Sequence, residues 1–162
     1  MKKITVTFVS CRDSAQLDCS ELVADNPDID LIANPSSLTQ QGAWLALALT
    51  DVVVIDEDVI RQEGFEAVRM LLAGYPQLRC LITINKYNEN KMIWAIMQGA
   101  RGVMLHDEVD LLLGKAIRRV NQGEIWLSRG LLETLRDELA VEEGANHIQR
   151  KSVAIADWRR WH

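Results

Sequence analysis

The run Asp51-Val-Val-Val-Ile-Asp56 carries an apolar, β-branched stretch into a carboxylate. Such a run marks a strand buried on both faces of a parallel sheet. Asp56 therefore stands at a rigid strand end, where a carboxylate can accept hydrogen bonds, pair with a cation or ligate an ion. His106 closes another β-rich run, Gly102 to Leu105. A histidine there can pair with Asp56 or with an anion, and its charge changes near neutral pH. Ser10-Cys11 and Ile84-Asn85 close two further runs of the same kind. Cys11, at the mouth of such a pocket, is the thiol that could meet an oxidant; Cys19 and Cys80 read as buried packing residues. Asp58, two positions past Asp56, could lend an oxygen. One firmly placed carboxylate plus backbone carbonyls makes a poor Mg²⁺ site. The chain shows no metal-ligand cluster, no nucleophile–base pair and no phosphate-cradling glycine loop, so a hydrolytic enzyme is not expected.

The elements that must position these residues alternate. Strands are predicted at Ile4–Val9, 30–33, 51–55, Arg79–Ile84 and Gly102–Leu105. Helices are predicted over 14–24, through Trp44, Leu45 and Leu47, and over 60–73, 89–98 and 108–121. Asn26-Pro27-Asp28 stops the first helix, and Gly74 with Pro76 stops the third. Five strands alternating with five helices mean right-handed βαβ units and a parallel sheet covered on both faces. The expected fold is α/β, flavodoxin-like, doubly wound, with strand order 2-1-3-4-5. Sheets of this kind place their sites beyond the carboxyl ends of the strands, where Ser10, Cys11, Asp56, Ile84, Asn85 and His106 all fall. A sixth helical pattern over 129–143 carries Leu131, Leu132, Leu135 and Leu139 as an apolar stripe, with Ser128 as its N-cap. The expected organisation is one domain over 1–123, an extension helix within 124–144 and a tail over 145–162.

The 162 residues are 48% hydrophobic and 25% charged, an ordinary globular composition for a single domain. A formal net charge of −5 argues against a mainly nucleic-acid-binding surface. Three cysteines without metal-like spacing argue against a disulfide framework and fit a reducing cytoplasm. Met1-Lys2-Lys3 and the apolar residues after it are broken by Thr5, Thr7 and Ser10, and read as a first strand rather than a signal peptide. The apolar run from Ala43 towards Ile55 is cut by Thr50 and Asp51 and is too short for a membrane span.

Asp51 to Asp56 resembles the third strand of response-regulator receiver domains, which ends in the phosphoacceptor aspartate. Gln98-Gly-Ala-Arg-Gly-Val-Met-Leu-His-Asp107 resembles the stretch around strand five in receivers of the NarL/LuxR type. Asn121-Gln-Gly-Glu-Ile-Trp-Leu-Ser128 resembles the segment that follows their fifth helix. The likeness spans about Lys3 to Leu139. It implies a receiver fold whose aspartate attacks a phosphodonor, with Mg²⁺ neutralising the phosphoryl charge and a hydroxyl and a lysine contacting the product. This sequence departs from that pattern. The acidic pair becomes Ser10-Cys11, the hydroxyl position aligns with Ile84 beside Asn85, and the lysine position is His106. Of these positions only Asp56 remains. It is either a working phosphoacceptor or an inherited carboxylate bonded to its neighbours, His106 among them.

Trp126-Leu127-Ser128-Arg129 resembles a segment of LuxR-type biofilm regulators that bind cyclic di-GMP and dimerise through it. Arg129 could stack on guanine, and Ser128 and Arg129 could reach phosphate. In ordinary relatives the same residues simply pack and cap. Val109, Leu112, Leu113, Ala116, Ile117 and Val120 exceed what one buried face needs, so part of this helix could form a homodimer surface. Relatives also carry a helix-turn-helix domain, which residues 147–162 cannot form, so a stand-alone or interrupted regulator is implied. The expectation is a degenerate receiver of a transcriptional regulator that dimerises, or binds another regulator, independently of phosphorylation. DNA and membrane contacts are not expected of it. The alternatives are a cyclic di-GMP sensor and a conventional phosphoacceptor.

Overall fold

A computed structural model describes residues 2–10, 19–38, 43–127 and 133. In chain order these form β1 (Ile4–Val9), α1 (Cys19–Asp25), β2 (Ile29–Ala33), α2 (Ala43–Ala48), β3 (Val52–Asp56), α3 (Glu57–Glu63), α4 (Phe65–Gly74), β4 (Arg79–Ile84), α5 (Glu89–Met97), β5 (Gly102–Leu105) and α6 (His106–Asn121). The strands make one parallel sheet in the order β2-β1-β3-β4-β5, the CheY-like arrangement expected from the sequence. The apolar stripe predicted over 129–143 and the tail lie outside the described residues.

Side chains of a strand point alternately to the two faces of its sheet. Val53, Ile55, Cys80, Ile82, Ile84 and Val103 face one layer, where Leu47, Val68, Leu71 and Met92 of α2, α4 and α5 cover them. Phe8, Val52, Val54, Leu81 and Met104 face the other layer, under Leu22 of α1 and Leu113, Ile117 and Val120 of α6. The central strand β3 is buried along its whole length, as a strand with helices on both sides must be.

The helix predicted over 60–73 needs correcting. It begins earlier, at Glu57, and is two helices broken at Gly64. Gly64 adopts φ 81°, ψ 156°, a conformation open essentially to glycine alone, while its N–H closes α3 on the Ile60 carbonyl at 2.8 Å. The break re-aims α4 so that Phe65 meets Trp94 of α5 edge to face, with ring centroids 4.0 Å apart. Gly64→Ala is expected to cost about 1–3 kcal/mol from backbone strain alone, because open space surrounds the missing Cβ. Urea denaturation would check it, and an unchanged midpoint would contradict the strained geometry.

α6 also starts earlier than the sequence suggests, at His106 rather than Glu108. Glu108 Oε2 accepts the N–H of Leu105 at 3.4 Å, and this contact closes the first turn onto the end of β5. His106 is thus the first residue of a helix and not a loop residue. Among the described residues, no helix is long and apolar enough to cross a membrane.

Candidate functional site

The carboxyl ends of β3, β4 and β5 meet at one edge of the sheet. Asp56 leaves β3 in an extended conformation and caps α3, its Oδ1 lying 3.4 Å from the N–H of Asp58. Its side chain is 2% exposed. The same Oδ1 lies 3.0 Å from Nε2 of His106, whose side chain is 15% exposed. The hydrogen bond to Asp56 raises the His106 pKa above its ordinary value. Partial burial opposes this, and the charges of Asp56, Asp58 and Glu57 reinforce it. The structure therefore brings together two residues fifty positions apart that the sequence had placed at separate strand ends.

The other anticipated residues divide. Asp58 is half-buried and its Oδ1 accepts from Arg61 at 3.3 Å. Ser10 turns its hydroxyl to the Asn34 side-chain oxygen at 3.2 Å. Asn85 is exposed and contributes its backbone N–H to Glu57. Cys11 lies outside the described residues.

Ile84 requires a correction. It is fully buried and belongs to the layer under α2, α4 and α5. The hydroxyl in register with Asp56 is that of Thr83, one residue earlier. In a parallel ladder, residues in register share a face, so Thr83 stands beside Asp56 on the α6 side. Thr83 is fully buried, and its Oγ1 has no hydrogen-bond partner among the described residues. The β4 alternation was the signal that could have found it: Cys80, Ile82 and Ile84 share one face, Leu81 and Thr83 the other.

Glu57 was missed altogether. Its side chain is 2% exposed; Oε1 accepts from Lys91 Nζ at 2.5 Å and from Arg61 at 3.1 Å, and Oε2 accepts the N–H of Asn85 at 2.9 Å. The spacing of Glu57 and Arg61 was visible as a helical ion pair. Its burial follows from Lys91, thirty-four residues away.

The donor set does not suit Mg²⁺. The carboxylates at hand are engaged by His106, by Arg61 and by Lys91, and a hard cation needs several oxygens turned towards one point. Among the described residues, no group of three or more His, Cys, Asp or Glu could hold a metal ion.

Of the WLSR segment, Trp126 lies within the described residues; Ser128 and Arg129 do not. The indole is half-buried against the α6-side layer. Its backbone is bridged to Gly102, with the Trp126 N–H on the Arg101 carbonyl at 2.9 Å and the Val103 N–H on the Trp126 carbonyl at 3.0 Å. A Cβ at Gly102 would stand 3.0 Å from Trp126 Cβ and 2.5 Å from Leu81 Cδ1, so the bridge needs glycine there. Leu127 packs on the opposite layer. This geometry accounts for Trp126 as a packing residue.

No family model matches the chain. It is 29% identical over 157 residues to the DNA-binding transcriptional activator DevR/DosR of Mycobacterium tuberculosis, covering 97% of this chain and 71% of that protein. It is 25% identical over 136 residues to the nitrate/nitrite response regulator NarL of Escherichia coli K12, covering 83% and 62%. Among solved structures, a LuxR-family two-component response regulator from Aurantimonas superposes with TM-score 0.71 at 20% identity, over 87% of this chain and 100% of that one. The isolated receiver domain of RcsB from Salmonella enterica gives TM-score 0.69 at 12% identity, over 83% and 99%. RcsB solved as two dimers bound to two parallel DNAs gives 0.68 at 11%, over 82% and 67%. The described part of this chain thus has the receiver fold of these structures and is similar in sequence to the NarL and DevR response regulators.

Proposed function

We propose that this receiver serves a bacterial two-component transcriptional regulator without being phosphorylated, and that it acts by associating with a second copy or with another regulator. The observation that carries this reading is the Asp56–His106 pair. The one carboxylate at the phosphoacceptor position is buried and already holds a partner at 3.0 Å. A phosphodonor would have to displace that partner from a desolvated site and gain no compensating Mg²⁺, since Ser10 stands at the first of the two usual acidic positions and faces Asn34. Phosphoryl transfer depends on such cations for electrostatic stabilisation. Thr83 supplies a hydroxyl next to Asp56, so the reading rests on the replacement of the acidic pair by Ser10-Cys11 and on the filled carboxylate rather than on a missing hydroxyl.

The α6 surface supports association. Val109, Leu113, Ala116, Ile117 and Val120 go into the core, but Leu111 remains 87% exposed at the rim of a cleft of about 270 Å³ between α1 and α6. The cleft sets Phe8, Leu22 and Leu113 beside the charged Glu21, Asp25, Lys115 and Arg118, and an apolar centre with a polar rim is what a partner surface needs.

One sample set tests the proposal. The full chain is incubated with acetyl phosphate and Mg²⁺, then examined by intact-mass spectrometry and sedimentation velocity. The expected result is an unmodified mass and an unchanged sedimentation profile. Stoichiometric labelling of Asp56 would restore the conventional phosphoacceptor. Titration of cyclic di-GMP into the same sample reads the nucleotide alternative.

A further inference from the structure

Successive residues at the end of β3 carry acidic groups to opposite sides. Asp56 faces α6 and pairs with His106, while Glu57 faces α5 and pairs with Lys91. We propose that Glu57 is a positioning residue that transmits the state of the Asp56–His106 pair to α5 and to the turn before it. The coupling holds whether or not Asp56 accepts a phosphoryl group.

A carboxylate this deeply buried is tolerated only when charged partners and hydrogen bonds meet it. Glu57 has both, and they come from separate segments: Arg61 from its own helix, Lys91 from the first turn of α5, and the Asn85 N–H from the end of β4. Asn88 Oδ1 accepts the N–H of Lys91 at 3.0 Å, so the residue Glu57 grips also belongs to the N-cap of α5. The turn and the first turn of α5 are thus held at two points by one side chain.

Glu57 is also the first residue of the helix that Asp56 caps. Reorienting the Asp56 side chain moves the first turn of α3, and Glu57 moves with it. Electrostatics follow the same path, since His106 responds to the charge of Glu57 as well as to that of Asp56. Within the gripped segment Tyr87 is 49% exposed, where a partner would read a displacement. Communication between sites needs an element that both ends bias, and the Glu57–Lys91 pair is such an element.

The test is a mutant cycle on the full chain, read by amide hydrogen exchange. His106→Gln, Lys91→Gln and the double variant are compared with the parent protein. His106→Gln is expected to change exchange of residues 85–91 by about three-fold or more, and this response is expected to vanish when Lys91 is Gln. A response of equal size in the Lys91→Gln background overturns the proposal, as does its absence in the parent background. Should Lys91→Gln fail to fold, the ¹³C resonance of the Glu57 carboxyl decides in the His106→Gln protein alone. Movement of that resonance while Glu66 stays fixed supports the coupling, and an unmoved Glu57 overturns it.

Discussion

His106→Ala is expected to destabilise the domain by about 2–3 kcal/mol in mildly acidic solution, the scale of a hydrogen bond to a charged group left behind in a buried site. Asp56 is 2% exposed in the parent protein, and the variant removes the ring that meets its Oδ1. The sign of the pH dependence follows from the direction of the His106 shift. Asp56 raises the histidine pKa in the folded state, so folding takes up protons over the interval between the unfolded and folded values. The pair's contribution is fully present below the unfolded histidine pKa of about 6.5. It is lost as pH rises through the raised folded value. Urea melts across that interval should therefore show the parent protein losing stability with rising pH while the alanine variant stays comparatively flat. Parallel curves for the two proteins would mean that His106 and Asp56 do not exchange charge stabilisation in solution.

Gly114→Ala should cost a similar amount, about 2–3 kcal/mol, from overpacking together with a weakened hydrogen bond. A Cβ at Gly114 would stand 2.3 Å from Asn26 Oδ1 and 2.8 Å from its Cγ. The amide cannot simply swing away. Its Nδ2 donates to the Leu22 carbonyl at 2.9 Å, and its Oδ1 accepts from Arg118 at 2.6 Å, which in turn grips Asp28 at 2.7 and 2.8 Å. That cluster fastens the end of α1 to α6, so the added methyl should loosen the α1/α6 cleft. Thermal melts of Gly114→Ala, Asn26→Ala and the double variant provide the check. The double variant should lose clearly less than the sum of the singles, and strict additivity would show that the two residues do not collide.

Much of the architecture was legible because buried parallel strands announce themselves. Val52 to Ile55 could hardly be anything else, and β1, β4 and β5 run over the residues that β-branched patterning suggested. Helix boundaries were less visible. The pattern over 60–73 is amphipathic throughout, and a single glycine within it is compatible with an unbroken helix; only its backbone conformation reveals Gly64 as a break. At the site, Asp56 and His106 were found as residues and their pairing was anticipated. The register of β4 was not: the resemblance put Ile84, which has no hydroxyl, in the pocket, whereas the residue in register with Asp56 is Thr83. Glu57 escaped because a glutamate following an aspartate at a helix start looks like ordinary N-terminal charge. Its burial depends on where α5 lands, which no local pattern encodes.

The short bridge between Trp126 and Gly102 bears on how this domain can meet other chains. An outer strand displays a row of unsatisfied amide and carbonyl groups, an open template for any extended peptide. On β5 that template is already taken at its first residue, because Trp126 occupies the Arg101 carbonyl and the Val103 amide around Gly102. With the Trp126 backbone lying where a sixth strand would begin, a peptide seeking to extend the sheet on this side finds the start of the edge occupied, which disfavours edge-to-edge stacking of domains.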